Sequence, residues 1–420
     1  MKSPARSAVR PRPAVSREVR AATPREPTGA DVEPLDVLVT GGAGFIGSHL
    51  CDELLTAGHR VRVLDCLSPQ VHSPETRTLG RPAYLDDRVD VHVGDVCDRE
   101  AVDEAVEPAD VVVHFAAAVG VGQSMYDVAR YTQTNALGTA TLMESVVARH
   151  RRRPLKRLLV ASSMSVYGEG RYRDANGSVH DHASRDIDAL RSRLWEPVDD
   201  DGHALEPIAT PEEKCPELSS IYALGKFDQE RMSLLLGSAA GLPTVAMRFF
   251  NAYGPRQSLG NPYTGVLAIF AGRLLGGEAP MIYEDGRQRR DLVHVTDVAR
   301  CCRLAIEADA TLVAGEVINV GSGEDRTVLD VARDLAATVD RAEVEPEIAG
   351  KYRVGDIRHC FADIAKARRL LGFEPEVAWT DGIRELALWL DSQRHATETT
   401  AAPARIRAAH DELTRHGLAV

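Results

Sequence analysis

Six short apolar, β-branched runs, with helix-like stretches between most of them, constrain the fold of this chain more than anything else in it. They occupy residues 35–40, 59–65, 89–93, 110–114, 157–161 and 244–248. The first run ends in Gly41-Gly42-Ala43-Gly44-Phe45-Ile46-Gly47. A helical pattern follows, with Ile46, Leu50, Leu54 and Leu55 on one face. Alternation of this kind predicts an α/β fold, a parallel sheet with helices on both faces and right-handed connections. After Arg248 the rhythm breaks into Gly- and Pro-rich segments, which predicts a smaller C-terminal α/β lobe. The expected division is 35–250 plus 290–325 for the sheet domain, with a polar insertion at 169–218. The smaller lobe is expected from 251–289 and 326–392.

Bulk properties exclude several classes of function. A formal net charge of −12 argues against a nucleic-acid surface, which shows as a basic excess. No apolar run approaches the ~20 residues that span a bilayer. The seven cysteines form no C-x-x-C pair and no disulfide-like framework, so a reducing cytoplasm is expected. Cys301, Cys302, His359 and Cys360 could ligate zinc, but buried inert thiols are the preferred reading and no metal is expected. Residues 1–34 are rich in Arg, Pro and Ala without an apolar h-region. They are read as a disordered tail or the product of an upstream start, not as a secretory signal. Residues 393–420 are expected to be a loose linker and then a polar helix over 404–416.

The glycine turn fits the dinucleotide fingerprint in two registers, Gly42-x-Gly44-x-x-Gly47 and Gly41-x-x-Gly44-x-x-Gly47. Glycines there permit a tight turn and close approach of backbone to a pyrophosphate, whose charge meets the helix N-terminus. The context between a strand and a helix makes the sheet Rossmann-type and doubly wound. Asp65 ends the second strand at the offset expected for an acid on the ribose hydroxyls, which favours NAD over NADP. Asp95 and Val96 end the third strand, where a carboxylate could bond the adenine amino group. Phe115, Ala116 and Ala117 end the fourth, and the small residues would let backbone run close to the cofactor.

Tyr222-Ala-Leu-Gly-Lys226 lies downstream of Ser163. This spacing puts phenol and ammonium on one helix face, a turn apart. The lysine charge would hold the phenol partly ionised, a base suited to an alcohol beside a bound nicotinamide.

Together these motifs resemble the extended short-chain dehydrogenase/reductase family and its nucleotide-sugar epimerases and dehydratases. The similar stretches are TGGAGFIGSHL (40–50), GDVCD (94–98), HFAAAVGVGQS (114–124), SSMSVYG (162–168), YALGK (222–226), RFFNAYGPRQ (248–257), RQRRDLVHVTDVA (287–299), INVGSG (318–323) and GDIRHCFADIAKARRLLGF (355–373). The resemblance implies Ser163, Tyr222 and Lys226 as catalytic residues. It implies a cofactor site of Gly41, Gly44, Phe45, Ile46, Gly47, Asp65, Asp95, Val96, Phe115, Ala116, Ala117, Val119, Asn135, Tyr222, Lys226 and Phe249. For a nucleotide-diphosphate sugar it implies Ser163, Asn251, Thr264, Val266, Arg290, Arg353 and Asp356. A homodimer through a four-helix interface that includes the Tyr222 helix is also implied.

Ser163-Met164-Ser165 distinguishes reactions within the family. Sugar 4,6-dehydratases resemble this stretch but carry Thr-Asp-Glu, whose acids eliminate water. Met164 and Ser165 provide neither, so oxidation at C4 and return of the hydride, a 4-epimerisation, is expected. The insertion and residues 255–291 resemble the bacterial dTDP-L-rhamnose 4-epimerase type, although Val198-Asp-Asp-Asp201 stands where such relatives carry C-x-x-C. Gly225 stands where relatives often have Asn or Ser. A UDP-hexose or UDP-uronate 4-epimerase is the alternative, and a non-catalytic NAD-binding regulator a third reading.

Overall fold

Seven strands in the order β7-β6-β5-β4-β1-β2-β3 form one sheet, and each neighbouring pair in it is parallel. In chain order the elements are β1 (Asp36–Thr40), α1 (Phe45–Thr56), β2 (Arg60–Asp65), β3 (Asp90–Val93), α2 (Arg99–Val106) and β4 (Val111–His114). They continue with α3 (Gly138–Arg152), β5 (Arg157–Ser163), α4 (Ile221–Ala240), β6 (Thr244–Phe249), α5 (Val295–Glu307) and β7 (Val317–Val320). This computed structural model describes residues 33–258, 261, 265–353, 355–393 and 397–418. The expected tail therefore lies outside the described residues except for its last two positions, and Thr264 lies outside them as well.

Side-chain alternation along each strand separates two cores. Val37 and Val39 of β1 and Val113 of β4 join Leu50 and Leu54 of α1 and Val298 and Ala305 of α5 on one face. Leu38 and Val112 point the other way, onto Val102 and Val106 of α2 and Leu142 and Val146 of α3. Both faces are covered, so the strands read as nearly continuous apolar runs. The doubly wound parallel sheet predicted from the alternation is the observed one. β7 adds a seventh strand from the stretch that had been assigned to the sheet domain only as a whole.

From Pro34 onward the chain is one compact unit, but it holds a further apolar core away from the sheet. Tyr253, Leu267, Phe270 and Leu274 meet Val331, Leu335, Ile383, Leu386 and Leu390 there. The polar insertion is folded. Arg171–Arg173 pairs antiparallel with Val179–His180 and with Glu206–Ile208. Its apolar cluster is only Tyr172, Ala183 and Leu205, so charges and backbone hydrogen bonds, from Gly170 to His359 and from Thr210 to Phe361, attach it to the rest. Arg358, fully buried, meets Glu196, Glu284 and Asp285, and Arg185 meets Glu169 and Glu284.

The C-terminal helix spans Thr397–Arg415, beginning earlier than the expected Ala404 because Ala401 and Ala402 are strong helix formers. It is docked: Ala409 and Leu413 are buried, Leu413 packs against Gly122, and the His416 ring stacks on Tyr126 at 4.7 Å. Among the described residues no helix is long and apolar enough to cross a membrane.

Candidate active site

β1 sits between β2 and β4, where the strand order reverses and open α/β sheets bind ligands at the strand C-termini. The glycine turn lies at that point. Gly41 takes φ +70°, and a Cβ on it would lie 2.8 Å from the Ala116 backbone nitrogen. A Cβ on Gly47 would collide with the Gly41 carbonyl, and one on Gly42 with Val63 of β2. Gly44 differs, meeting only the Gly41 oxygen at 3.3 Å. It caps α1 without a side-chain acceptor, so the first-turn amides at Phe45 and Ile46 have no such cap. A pyrophosphate fits this cradle, and larger residues would fill it.

The other predicted cofactor residues lie at successive strand ends. Asp65 closes β2 and accepts from the Ala43 and Leu67 amides at 3.1 and 2.9 Å, while burial pushes its carboxyl above the ordinary range. Asp95 accepts from the Cys97 amide at 2.8 Å, and Val96 is buried beneath it. Phe115 after β4 meets Phe249 at the end of β6 edge-on, 5.5 Å between centroids. Ala116 and Ala117 are half-buried, whereas Val119 is exposed. Asn135 lies in a wide helical turn, Thr132–Leu137. It is fixed from both ends of its amide, accepting from Ala118 N–H at 2.7 Å and donating to Ala118 C=O at 3.1 Å.

Ser163 is the last residue of β5, and Tyr222 and Lys226 lie in the first turns of α4. Ser220 caps that helix by accepting from the Ala223 amide, and Ser124 accepts from the Tyr222 amide at 3.0 Å. The Ser163 oxygen accepts from the Ser165 hydroxyl at 2.9 Å and from the Ser165 amide at 3.2 Å. Its own proton is left to point at the phenol. Burial raises the Tyr222 pKa, and the hydrogen bond with Ser163 pulls it back.

Lys226 follows Tyr222 by one turn of the same helix, as the spacing predicts. Its Nζ is drawn back to the Gln229 side-chain oxygen, 2.7 Å away. Burial lowers the Lys226 pKa to about 7, opposed by the Glu230 charge. Gly225 also finds its reason here: a Cβ would sit 3.1 Å from the Asn135 Cβ and 3.2 Å from its Nδ2.

The residues predicted for a nucleotide sugar are less uniform. Asn251 Oδ1 and Arg353 Nε are buried without a partner among the described residues, and the Arg353 guanidinium lies over the Tyr283 ring at 4.5 Å. Two unpaired polar atoms of this kind suit a polar ligand. Arg290 is instead occupied, donating to the carbonyls of Arg289, Ile357 and Arg358. Asp356 is gripped through its carbonyl by Arg185, and a Cβ on the neighbouring Gly355 would lie 3.5 Å from the Ser219 carbonyl, just ahead of α4. Val266 opens the helix Val266–Leu275. Of the cysteines considered for zinc, Cys301 and Cys302 are in the sheet core, burial pushes the Cys360 thiol up to about 12, and His359 bonds Glu196. Sequence reasoning missed Ser165, Ser124 and Gln229. Gln229 alone carried a signal, three residues beyond Lys226 on the same helix face.

Residues 37–185 and 200–321 match the model of the NAD dependent epimerase/dehydratase family. The dTDP-L-rhamnose 4-epimerase of Burkholderia thailandensis is 33% identical over 86% of this chain and 96% of its own. A dTDP-glucose 4,6-dehydratase of Streptomyces niveus is 30% identical over 87% of this chain and 96% of its own. The crystal structure of the Thermus thermophilus UDP-glucose 4-epimerase in complex with NAD superposes with a TM-score of 0.65 at 29% identity, covering 86% of this chain and 100% of that one. With a family match over most of its length, a doubly wound sheet and a glycine cradle that fits the dinucleotide, this chain belongs to the NAD dependent epimerase/dehydratase family and is an NAD-using enzyme of the extended short-chain dehydrogenase/reductase fold.

Proposed function

We propose that this enzyme is a nucleotide-sugar 4-epimerase, an isomerase that inverts C4 through a transient 4-keto sugar, with dTDP-L-rhamnose as its substrate. The observation that carries the reading is the end of β5. Elimination of water needs an acid and a base beside the sugar, and Met164 and Ser165 supply neither. The Ser165 hydroxyl is turned onto Ser163. What the residues can do is move one proton. Bound NAD supplies the hydride acceptor and, on return, the donor. Tyr222 takes the C4 hydroxyl proton and later gives it back, Ser163 orients that hydroxyl, and Lys226 holds the nicotinamide ribose. Gly41, Gly44, Phe45, Ile46, Gly47, Asp65, Asp95, Val96, Phe115–Ala117, Val119, Asn135 and Phe249 would bind the rest of the cofactor.

Asn251, Val266, Arg290, Arg353 and Asp356 would hold the nucleotide diphosphate while the keto sugar turns; Arg290 would have to give up backbone carbonyls to do so. The division into a cofactor domain and a sugar-binding lobe, with boundaries near 250, 290 and 325, belongs to the same reading and is supported by the separate apolar core. Unpaired cysteines and reliance on NAD support a cytoplasmic location. The choice of dTDP-L-rhamnose draws on the Burkholderia thailandensis relative.

The test is direct. Denaturing the purified protein should release NAD⁺, about one per chain. dTDP-L-rhamnose, UDP-glucose and UDP-glucuronate are then offered separately. Conversion of a UDP-sugar but not of dTDP-L-rhamnose transfers the assignment to the UDP-hexose or UDP-uronate alternative, and release of water from dTDP-glucose overturns epimerisation itself.

A further inference from the structure

Lys226 is tied into a buried hydrogen-bond chain that none of the assigned roles uses. Its Nζ donates to Gln229 Oε1 at 2.7 Å. The Gln229 amide nitrogen lies 3.2 Å from the Ala116 carbonyl and 3.0 Å from Thr139 Oγ1. Thr139 donates to the Asn135 carbonyl at 2.6 Å. Below them His114 spans Thr139 Oγ1 and Thr40 Oγ1, 2.8 Å from each, and Thr40 accepts from the Ala116 amide at 3.3 Å. Gln229, His114, Thr40 and Thr139 are all buried.

Thr139 gives its only proton to the Asn135 carbonyl, so it accepts from the Gln229 amide, whose nitrogen also lies 3.0 Å from His114 Nε2. That histidine is neutral, in keeping with a pKa that burial and the nearby lysine charge press down to about 3. Gln229 is left with both its donors committed, to Ala116 and Thr139, and its oxygen can only face the ammonium. The amide cannot flip without putting its NH2 against Nζ.

We propose that Gln229 is the positioning residue for Lys226: it sets where the ammonium stands and keeps it charged, and it locks the lysine to the Ala116 and Asn135 backbone that lines the cofactor. An acceptor that faces only the ammonium favours the charged form of a buried lysine. Removing it lowers the lysine pKa, leaves less positive charge near Tyr222, and moves the ionisation of the base to higher pH. The catalytic consequence rests on the roles proposed above for Lys226 and Tyr222; the effect on the lysine does not.

The chain has six lysines, so labelling with [ε-13C]lysine lets Lys226 be titrated by NMR in the NAD-bound protein, its resonance identified by loss in Lys226→Met. Gln229→Leu keeps the volume and removes every bond, whereas Gln229→Glu keeps an acceptor and adds charge. We expect the Lys226 midpoint to fall by about one pH unit in the leucine variant, a tenfold shift in its protonation equilibrium, and to rise in the glutamate variant. With dTDP-L-rhamnose, kcat at pH 7 should fall about tenfold in Gln229→Leu with KM within about twofold, and its acid limb should move to higher pH. A midpoint unchanged by Gln229→Leu in folded, NAD-loaded protein overturns the proposal. If that variant does not fold, a midpoint unchanged or lowered in Gln229→Glu overturns it. Lysine shifts in a protein that converts no nucleotide sugar would sink the epimerase reading and leave this one standing.

Discussion

At the scale of single residues the site is assembled from hydroxyls rather than acids. Ser163 receives two bonds from Ser165, so its own proton serves the phenol, and the proposed function gives Tyr222 the exchange of a proton with the sugar. Tyr222→Phe should cut turnover at least a hundredfold, the low end for losing a general base, while released NAD stays near one per chain; retained turnover would refute the assigned role. Gly225 gives a second prediction. An alanine there would gain about 1 kcal/mol of helix propensity, but its methyl group would press on Asn135, whose amide is bonded at both ends to Ala118. Gly225→Ala should therefore lose NAD several-fold faster without a gain in Tm. A higher Tm with full NAD content would show that Asn135 yields. The motif residues were legible because their chemistry needs particular side chains at particular spacings. Ser165 and Ser124 were not, since a serine signals nothing until its partner is in place, and Gln229 carried only its three-residue spacing from Lys226.

Among the elements, the seven strands were legible because their apolar runs are buried on both faces. The insertion was not, because its order comes from ion pairs and backbone hydrogen bonds with residues far along the chain. Glu196 shows this dependence and makes it testable. Hydrogen bonds from His359 and Arg358 outweigh burial and hold its pKa at about 2, against 4.5 for a free glutamate. A depressed carboxylate pKa adds stability that is complete above the unfolded value and disappears as pH falls through the folded one. His359, lowered by burial, acts in the same direction, because protonation is favoured in the unfolded chain. The insertion should accordingly begin to loosen below about pH 6.5, where an unfolded His359 takes up its proton, with the larger change between about pH 4.5 and 2 as Glu196 is protonated. Hydrogen exchange over residues 171–208 should show protection falling in that window, and Glu196→Gln should flatten the dependence. Protection that stays level in the unmodified protein down to pH 3 would mean the charges do not hold this element.

For the whole molecule the remaining question is what covers α4. This helix carries Tyr222 and Lys226 on its inner side, yet Leu224 and Leu235 are 42% and 59% exposed on the other. They are eleven residues apart, almost a whole number of turns, and so share one face. Leu137, also exposed, stands at the start of the neighbouring α3. Isolated exposed leucines are ordinary, but a shared apolar face on adjacent helices suits a second copy of the same surface, since a two-fold interface is self-complementary. This supports the homodimer that the family resemblance implies, through an interface that includes α4. The arrangement would set the catalytic helix between cofactor and partner, so loss of the partner should be felt at Tyr222. Sedimentation should give a dimer at micromolar concentration, and Leu235→Arg, which sets a charge into this apolar face, should give monomers with lower turnover per chain. Because Leu235 lies two and a half turns beyond Lys226 and so faces away from it, the variant should keep its NAD. A protein that sediments as a monomer before any substitution would remove the dimer, and the exposed leucines would then be surface residues with no second copy to cover them.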